Sequence, residues 1–138
     1  MFKQLDHLAI VVRNTEESLK FYRDVLGLPV LFSQDLPDAP VKLTHLDMGN
    51  THLQLVEPLT DDHPLQTWLD EHGEGLHHFC FTVDSVQEMI KTLPDHNLHS
   101  ADATPRSGPN GRQAAFINTD DTRGVLIELT SESSEKSK

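Results

Sequence analysis

The sequence has 138 residues, of which 36% are hydrophobic, enough for one compact core but not for two full domains. A formal net charge of −11 makes a surface that repels phosphate backbones, which argues against nucleic-acid binding. No apolar run reaches membrane-spanning length, and the start Met1-Phe2-Lys3-Gln4 has no signal-peptide core. The expectation is a cytoplasmic protein that binds neither membrane nor nucleic acid.

The chain reads as a structure built twice. Leu5–Val12 is an apolar strand, and Leu76–Val83 repeats it, with Leu5 matching Leu76, His7 matching His78 and Val12 matching Val83. The match continues at the same offset into two capping boxes, Asn14-x-x-Glu17 and Ser85-x-x-Glu88. In such a box a polar cap and a Glu three residues on satisfy free helix N–H groups. The first helix then carries Leu19, Tyr22, Val25 and Leu26 at helical spacing, and Gly27 closes it. The second carries Met89, Ile90 and Leu93, and Pro94 stops it.

Three strand-like segments follow each helix. In the first half they are Leu28–Ser33, Val41–Met48 and Thr51–Glu57, with a Gly49-Asn50 hairpin turn. In the second half they are Leu98–Thr104, Gln113–Asn118 and Gly124–Thr130. Between the halves, His63-Pro64 opens a short helix with Leu65, Trp68 and Leu69 on one side and Gly73 at its end. The predicted fold is therefore α+β, with two βαβββ modules forming a curved eight-stranded mixed sheet around a metal-binding cleft. The predicted organisation is one domain over residues 1–130, with repeats 1–58 and 72–130 and a helical linker 59–71. The polar tail 131–138 reads as disordered.

Side chains alternate between the two faces of a strand. In the first strand Leu8, Ile10 and Val12 share the face that the adjacent helix can cover, so His7 points the other way. By the same parity His78 lies opposite His77, Phe79 and Phe81. Gln54 lies opposite Leu53 and Leu55, and Glu128 lies opposite Val125, Ile127 and Leu129. A lone strand histidine is usually a satisfied structural residue. A carboxylate between apolar neighbours is costly to bury without a partner. Together, His7, Gln54, His78 and Glu128 occupy equivalent places in the two repeats, on uncovered faces, and this points to a metal centre. Two imidazoles and two oxygen donors suit one divalent ion such as cobalt, zinc, nickel or manganese. Nine histidines in so short a chain fit that reading. His52 shares the parity of Gln54, and His45 can reach the same face. The single cysteine, Cys80, excludes an internal disulfide and sits where a buried inert thiol is expected.

Gly73-Glu74-Gly75-Leu76-His77-His78, Gly49-Asn50-Thr51, Pro58-Leu59 and Gly124-Val125-Leu126-Ile127-Glu128-Leu129 resemble the methylmalonyl-CoA epimerases. These enzymes are a family within the vicinal oxygen chelate superfamily, and the resemblance covers nearly the whole chain except the tail. It implies the same four residues as metal ligands, an acyl-CoA thioester or thiol adduct as substrate, and a homodimer. The chain departs from the family at Pro37-Asp38-Ala39-Pro40, at about Leu43, where a relative carries a second catalytic carboxylate, and at Asn118-Thr119-Asp120; substrate contacts or a second base are expected at these places.

The implied chemistry is removal and return of a proton next to a carbonyl, with Glu128 as the catalytic base. His45 and His52 are candidates for a second base. A glyoxalase I-like lyase acting on a methylglyoxal–thiol adduct is the enzyme alternative. An extradiol dioxygenase is disfavoured because Gln54 would crowd the open metal position. A metal-free protein that sequesters a small molecule is the alternative from another class, and such proteins generally lack the ligand quartet.

Overall fold

The computed structural model describes residues 1–132. It has eight strands and three α-helices among those residues, arranged as two βαβββ modules. The chain divides into two compact units: residues His7–His77, and residues Met1–Asp6 together with His78 onward.

The first unit contains most of β1 (Gln4–Val11), α1 (Thr15–Tyr22), β2 (Val30–Leu36), β3 (Val41–Asp47), β4 (His52–Pro58) and α2 (Pro64–His72). Its strands lie in the order β2-β3-β4-β1. The first two pairings are antiparallel, and β1 runs parallel to β4. Asn14 caps α1 as its box predicts, accepting from the N–H of Glu17 at 2.9 Å. One face of the sheet buries Leu46, Leu53 and Leu55 with Val12 against Leu19 of α1, and Leu8, Ile10, Tyr22 and Leu28 pack around them. Burying one such leucine is worth roughly 1.5–3 kcal/mol.

The other face of that sheet is not wholly open. Val41, Leu43, Val56, Ala9 and Val11 form a second cluster on it with Leu69, Leu65 and Trp68. The helix predicted as a linker is thus part of the core: α2 caps the end of the face that carries His7. Its start follows the sequence reading, with Pro64 in the first turn and Nδ1 of His63 accepting from the N–H of Leu65.

The second unit contains most of β5 (Gly75–Thr82), α3 (Val86–Thr92), β6 (Arg106–Ser107), β7 (Gln113–Phe116) and β8 (Ile127–Ser131). Its strands lie in the order β5-β8-β7-β6, with β5 parallel to β8 and the rest antiparallel. The same pairing scheme thus occurs in both modules. Ser85 caps α3, accepting from the N–H of Glu88 at 3.1 Å. Val83, Val86, Met89, Leu93, Ala115, Ile117 and Leu129 form the core of this unit, with Phe2, Phe81 and Ile127 against it.

Each module also ties the start of its helix to its last strand. Oε1 of Glu57 on β4 accepts from both the N–H and the hydroxyl of Thr15, at 2.8 and 2.7 Å. In the second module the hydroxyl of Ser131 accepts from the N–H of Val86 at 2.9 Å. Each bond satisfies an N–H that a helix start leaves without an intrahelical partner.

Three expectations change. The segment Leu98–Thr104 is not a strand; it makes one bridge, Ser100 to Ile117, and β6 comes later at Arg106–Ser107. Side chains take over the ladder there: Ser100 Oγ accepts from the N–H of Asp102, and Asp102 Oδ2 accepts from the N–H of Phe116. Second, α1 ends at Tyr22, and Val25 and Leu26 are exposed rather than packed, in the turns that lead to Gly27 at φ +76°. Third, the fold extends past residue 130: Ser131 is the last residue of β8 and buried, and Glu132 pairs with Arg112 at 3.0 Å. The remaining tail, 133–138, lies outside the described residues. No helix among the described residues is long and apolar enough to cross a membrane.

Candidate metal centre

In the first unit His7 and Gln54 share a face. The parallel register sets Ala9 beside Gln54 and His7 beside His52, and partners in register project to the same side. Both side chains are buried, His7 at 4% and Gln54 at 3% exposure. The antiparallel register sets His45 directly beside Gln54.

The three imidazoles and the amide form a connected group. Nε2 of Gln54 donates to Nε2 of His45 at 3.0 Å. His45 then carries its proton on Nδ1 and donates it to Nδ1 of His52, also at 3.0 Å. The His45 ring is fixed between neighbours, stacked on Phe32 at 4.4 Å and edge-on to His7 at 5.4 Å. With its nitrogen committed to His45, Gln54 has its amide oxygen left to serve as a ligand. His45 and His52, the two candidates for a second base, are thus joined to this amide by hydrogen bonds.

In the second unit β5 and β8 bring His78 and Glu128 together. Cys80 sits beside Glu128 in the parallel register, and His78 lies one step along the same face. Nε2 of His78 is 3.2 Å from Oε1 of Glu128, with both side chains nearly buried. The His78 ring meets Phe116 edge-on at 5.1 Å. His77 lies on the other parity, as predicted, and sets its ring against Trp68 at 5.1 Å.

The other oxygen of Glu128 has a partner that the sequence reading missed. Arg106 donates from Nη2 to Oε2 of Glu128 at 3.1 Å. Its Nε donates to Oδ2 of Asp102 at 3.1 Å, and its guanidinium lies over the Phe116 ring, 4.5 Å from the centroid. A buried carboxylate flanked by an imidazole and a guanidinium has the partners its desolvation requires. Cys80 is fully buried; burial first, then the charge of Glu128, raises its thiol far above the ordinary range. It is an inert thiol at neutral pH.

His7, His78 and Glu128 each offer an imidazole nitrogen or a carboxylate oxygen suited to a divalent ion, and Gln54 adds an amide oxygen. Residues 6–116 match the model of a protein family described as the Glyoxalase/Bleomycin resistance protein/Dioxygenase superfamily. The chain belongs to that superfamily. Among superfamily members it is 31% identical over 133 residues to the ethylmalonyl-CoA/methylmalonyl-CoA epimerase of Cereibacter sphaeroides, covering 94% of this chain and 98% of that one. It is 33% identical over 127 residues to the mitochondrial methylmalonyl-CoA epimerase of Mus musculus, covering 91% of this chain and 71% of the mouse protein. A variant of the Streptomyces coelicolor methylmalonyl-CoA epimerase, solved in complex with 2-nitronate-propionyl-CoA, superimposes with a TM-score of 0.87 at 28% identity. That match covers 97% of both chains.

Proposed function

We propose that the chain is a metal-dependent epimerase of methylmalonyl-CoA or a close acyl-CoA thioester, with His7, Gln54, His78 and Glu128 holding one divalent ion. Each module contributes one imidazole and one oxygen donor, and all four side chains are shielded from water. This donor set fits cobalt, zinc, nickel or manganese. The observation that carries the reading is the nearly buried Glu128 carboxylate, 3.2 Å from His78 and bonded to Arg106, in a chain that has epimerases among its relatives.

When bound, the ion supplies a Lewis acid that draws charge from a substrate carbonyl and makes the neighbouring C–H more acidic. Glu128 takes the proton from that carbon through a carboxylate oxygen, and inversion follows when a proton comes back to the opposite face, from a second acid or after the deprotonated acyl group has turned. Arg106 holds the carboxylate in place through its bond to Oε2, so little reorganisation is needed during the transfer. Gln54, oriented by His45, presents an uncharged oxygen donor and leaves Glu128 as the anionic one.

The test is solvent exchange. Metal-loaded protein in deuterium oxide should incorporate deuterium at the α-carbon of methylmalonyl-CoA. No incorporation with any of the four metals overturns the epimerase reading. Conversion of a methylglyoxal–thiol adduct instead favours the glyoxalase-type alternative. The homodimer implied by the resemblance is supported by Phe21, Val25, Leu26, Val30 and Leu31, exposed apolar side chains close together in the sequence. Light scattering on the purified chain tests it.

A further inference from the structure

We infer that Arg106 recognises the free carboxylate of the acyl group, so that it selects malonyl-type thioesters over neutral ones. The inference rests on the epimerase reading above.

Arg106 already meets one carboxylate, that of Glu128. The guanidinium is held in a fixed plane by the Asp102 bond through Nε and by the Phe116 ring beneath it. Asp102 is anchored in turn, because the same Oδ2 accepts from the N–H of Phe116 at 2.8 Å. The arginine is therefore pre-organised, and little conformational entropy is lost when it takes a ligand.

Its binding capacity is not used up. A guanidinium has five N–H donors, and these two bonds use two of them. The others meet no acceptor among the described residues. The side chain is 38% exposed, whereas that of Glu128 is 11% exposed, so the arginine is the more accessible of the two to a ligand. The donor fork matches a carboxylate in geometry and charge.

Electrostatics points the same way. Glu128 and Asp102 place two carboxylates against one guanidinium, in a chain of net charge −11. A substrate carboxylate approaching Glu128 is repelled unless cations receive it, and Arg106, in contact with Glu128, adds its positive charge there to that of the proposed ion. A neutral acyl group gains nothing from this contact.

The experiment compares two thioesters that differ in the carboxylate. Binding of methylmalonyl-CoA and of propionyl-CoA to cobalt-loaded protein is measured by calorimetry for the wild type, Arg106→Met and Arg106→Lys. The methionine keeps an unbranched apolar stem over Phe116, and the lysine keeps the charge without the fork. Arg106→Met should weaken methylmalonyl-CoA about ten- to a hundredfold and propionyl-CoA by less than about twofold. Arg106→Lys should recover part of the loss, and it keeps the comparison available if the methionine variant does not fold.

Equal losses for both thioesters, or no loss for either, overturn the inference. Deuterium exchange by the wild type, measured alongside, separates the two readings. Exchange with unchanged discrimination in the variants removes the role of Arg106 and leaves the epimerase reading standing. A wild type that neither binds nor exchanges methylmalonyl-CoA removes both.

Discussion

Nε2 of His78 lies 3.2 Å from Oε1 of Glu128, and this contact joins the parallel strands β5 and β8. Arg106 donates to the other carboxylate oxygen, Oε2, at 3.1 Å. Glu128→Gln keeps the shape and one oxygen but removes the basicity. The variant should still bind metal, more weakly, and lose α-proton exchange by ~10²–10⁴-fold. A loss below about tenfold with metal bound would exclude Glu128 as the base.

Metal binding should couple to stability. Protein purified in the presence of cobalt should hold about one ion per chain, and chelation should lower its melting temperature. An ion that binds only the folded state at a hundred times its Kd adds about 2.7 kcal/mol. The double change His7→Ala with His78→Ala should abolish both effects. His77→Ala should leave metal content unchanged, because His77 packs against Trp68 instead. Metal analysis and calorimetry check each statement.

Cys80 offers a probe of unfolding. It is fully buried, and its thiol is held protonated by burial and by Glu128. Iodoacetamide at neutral pH should leave it unmodified in the native protein and alkylate it in denaturant. Rapid labelling of the native protein, read by mass spectrometry, would contradict the packing of β5.

The bond from Ser131 to Val86 is buried, so Ser131→Ala leaves an N–H without an acceptor. The cost should be about 1–3 kcal/mol, read from denaturant unfolding. Removing the exposed Asn14 cap by Asn14→Ala should cost about 0.5–2 kcal/mol. Stability unchanged by Ser131→Ala would return that residue to the tail, where the sequence reading put it.

The residues of the candidate site were legible wherever alternation along a correctly placed strand could be used. His7, Gln54, His78 and Glu128 stand on regular strands with apolar neighbours of opposite parity, and the repeat relates them in pairs. Arg106 was hidden because the strand before it was misplaced at Leu98–Thr104. With β6 at Arg106–Ser107, the register sets Arg106 beside Ala114, on the side of Phe116 and Glu128. The misplacement has a physical cause. Ser100 and Asp102 satisfy backbone groups through their side chains, and turn-forming Ser and Asp do this in place of a ladder. The packing of α2 was also not legible as core, because its apolar stripe gives no sign of which sheet face it covers.

The division of the chain has a consequence for the order in which it assembles. Residues His7–His77 form one unit from contiguous sequence, but the other unit combines Met1–Asp6 with residues from His78 onward. Phe2 stacks on Phe81 at 5.0 Å, and the N–H of Lys3 donates to the carbonyl of Thr82 at 2.9 Å. On the ribosome these N-terminal residues emerge long before their partners and must wait for them. A fragment cut at the boundary between the repeats would leave Phe81 without its stacked ring and the Thr82 carbonyl without its donor. These N-terminal contacts can thus form only after the second repeat has been made.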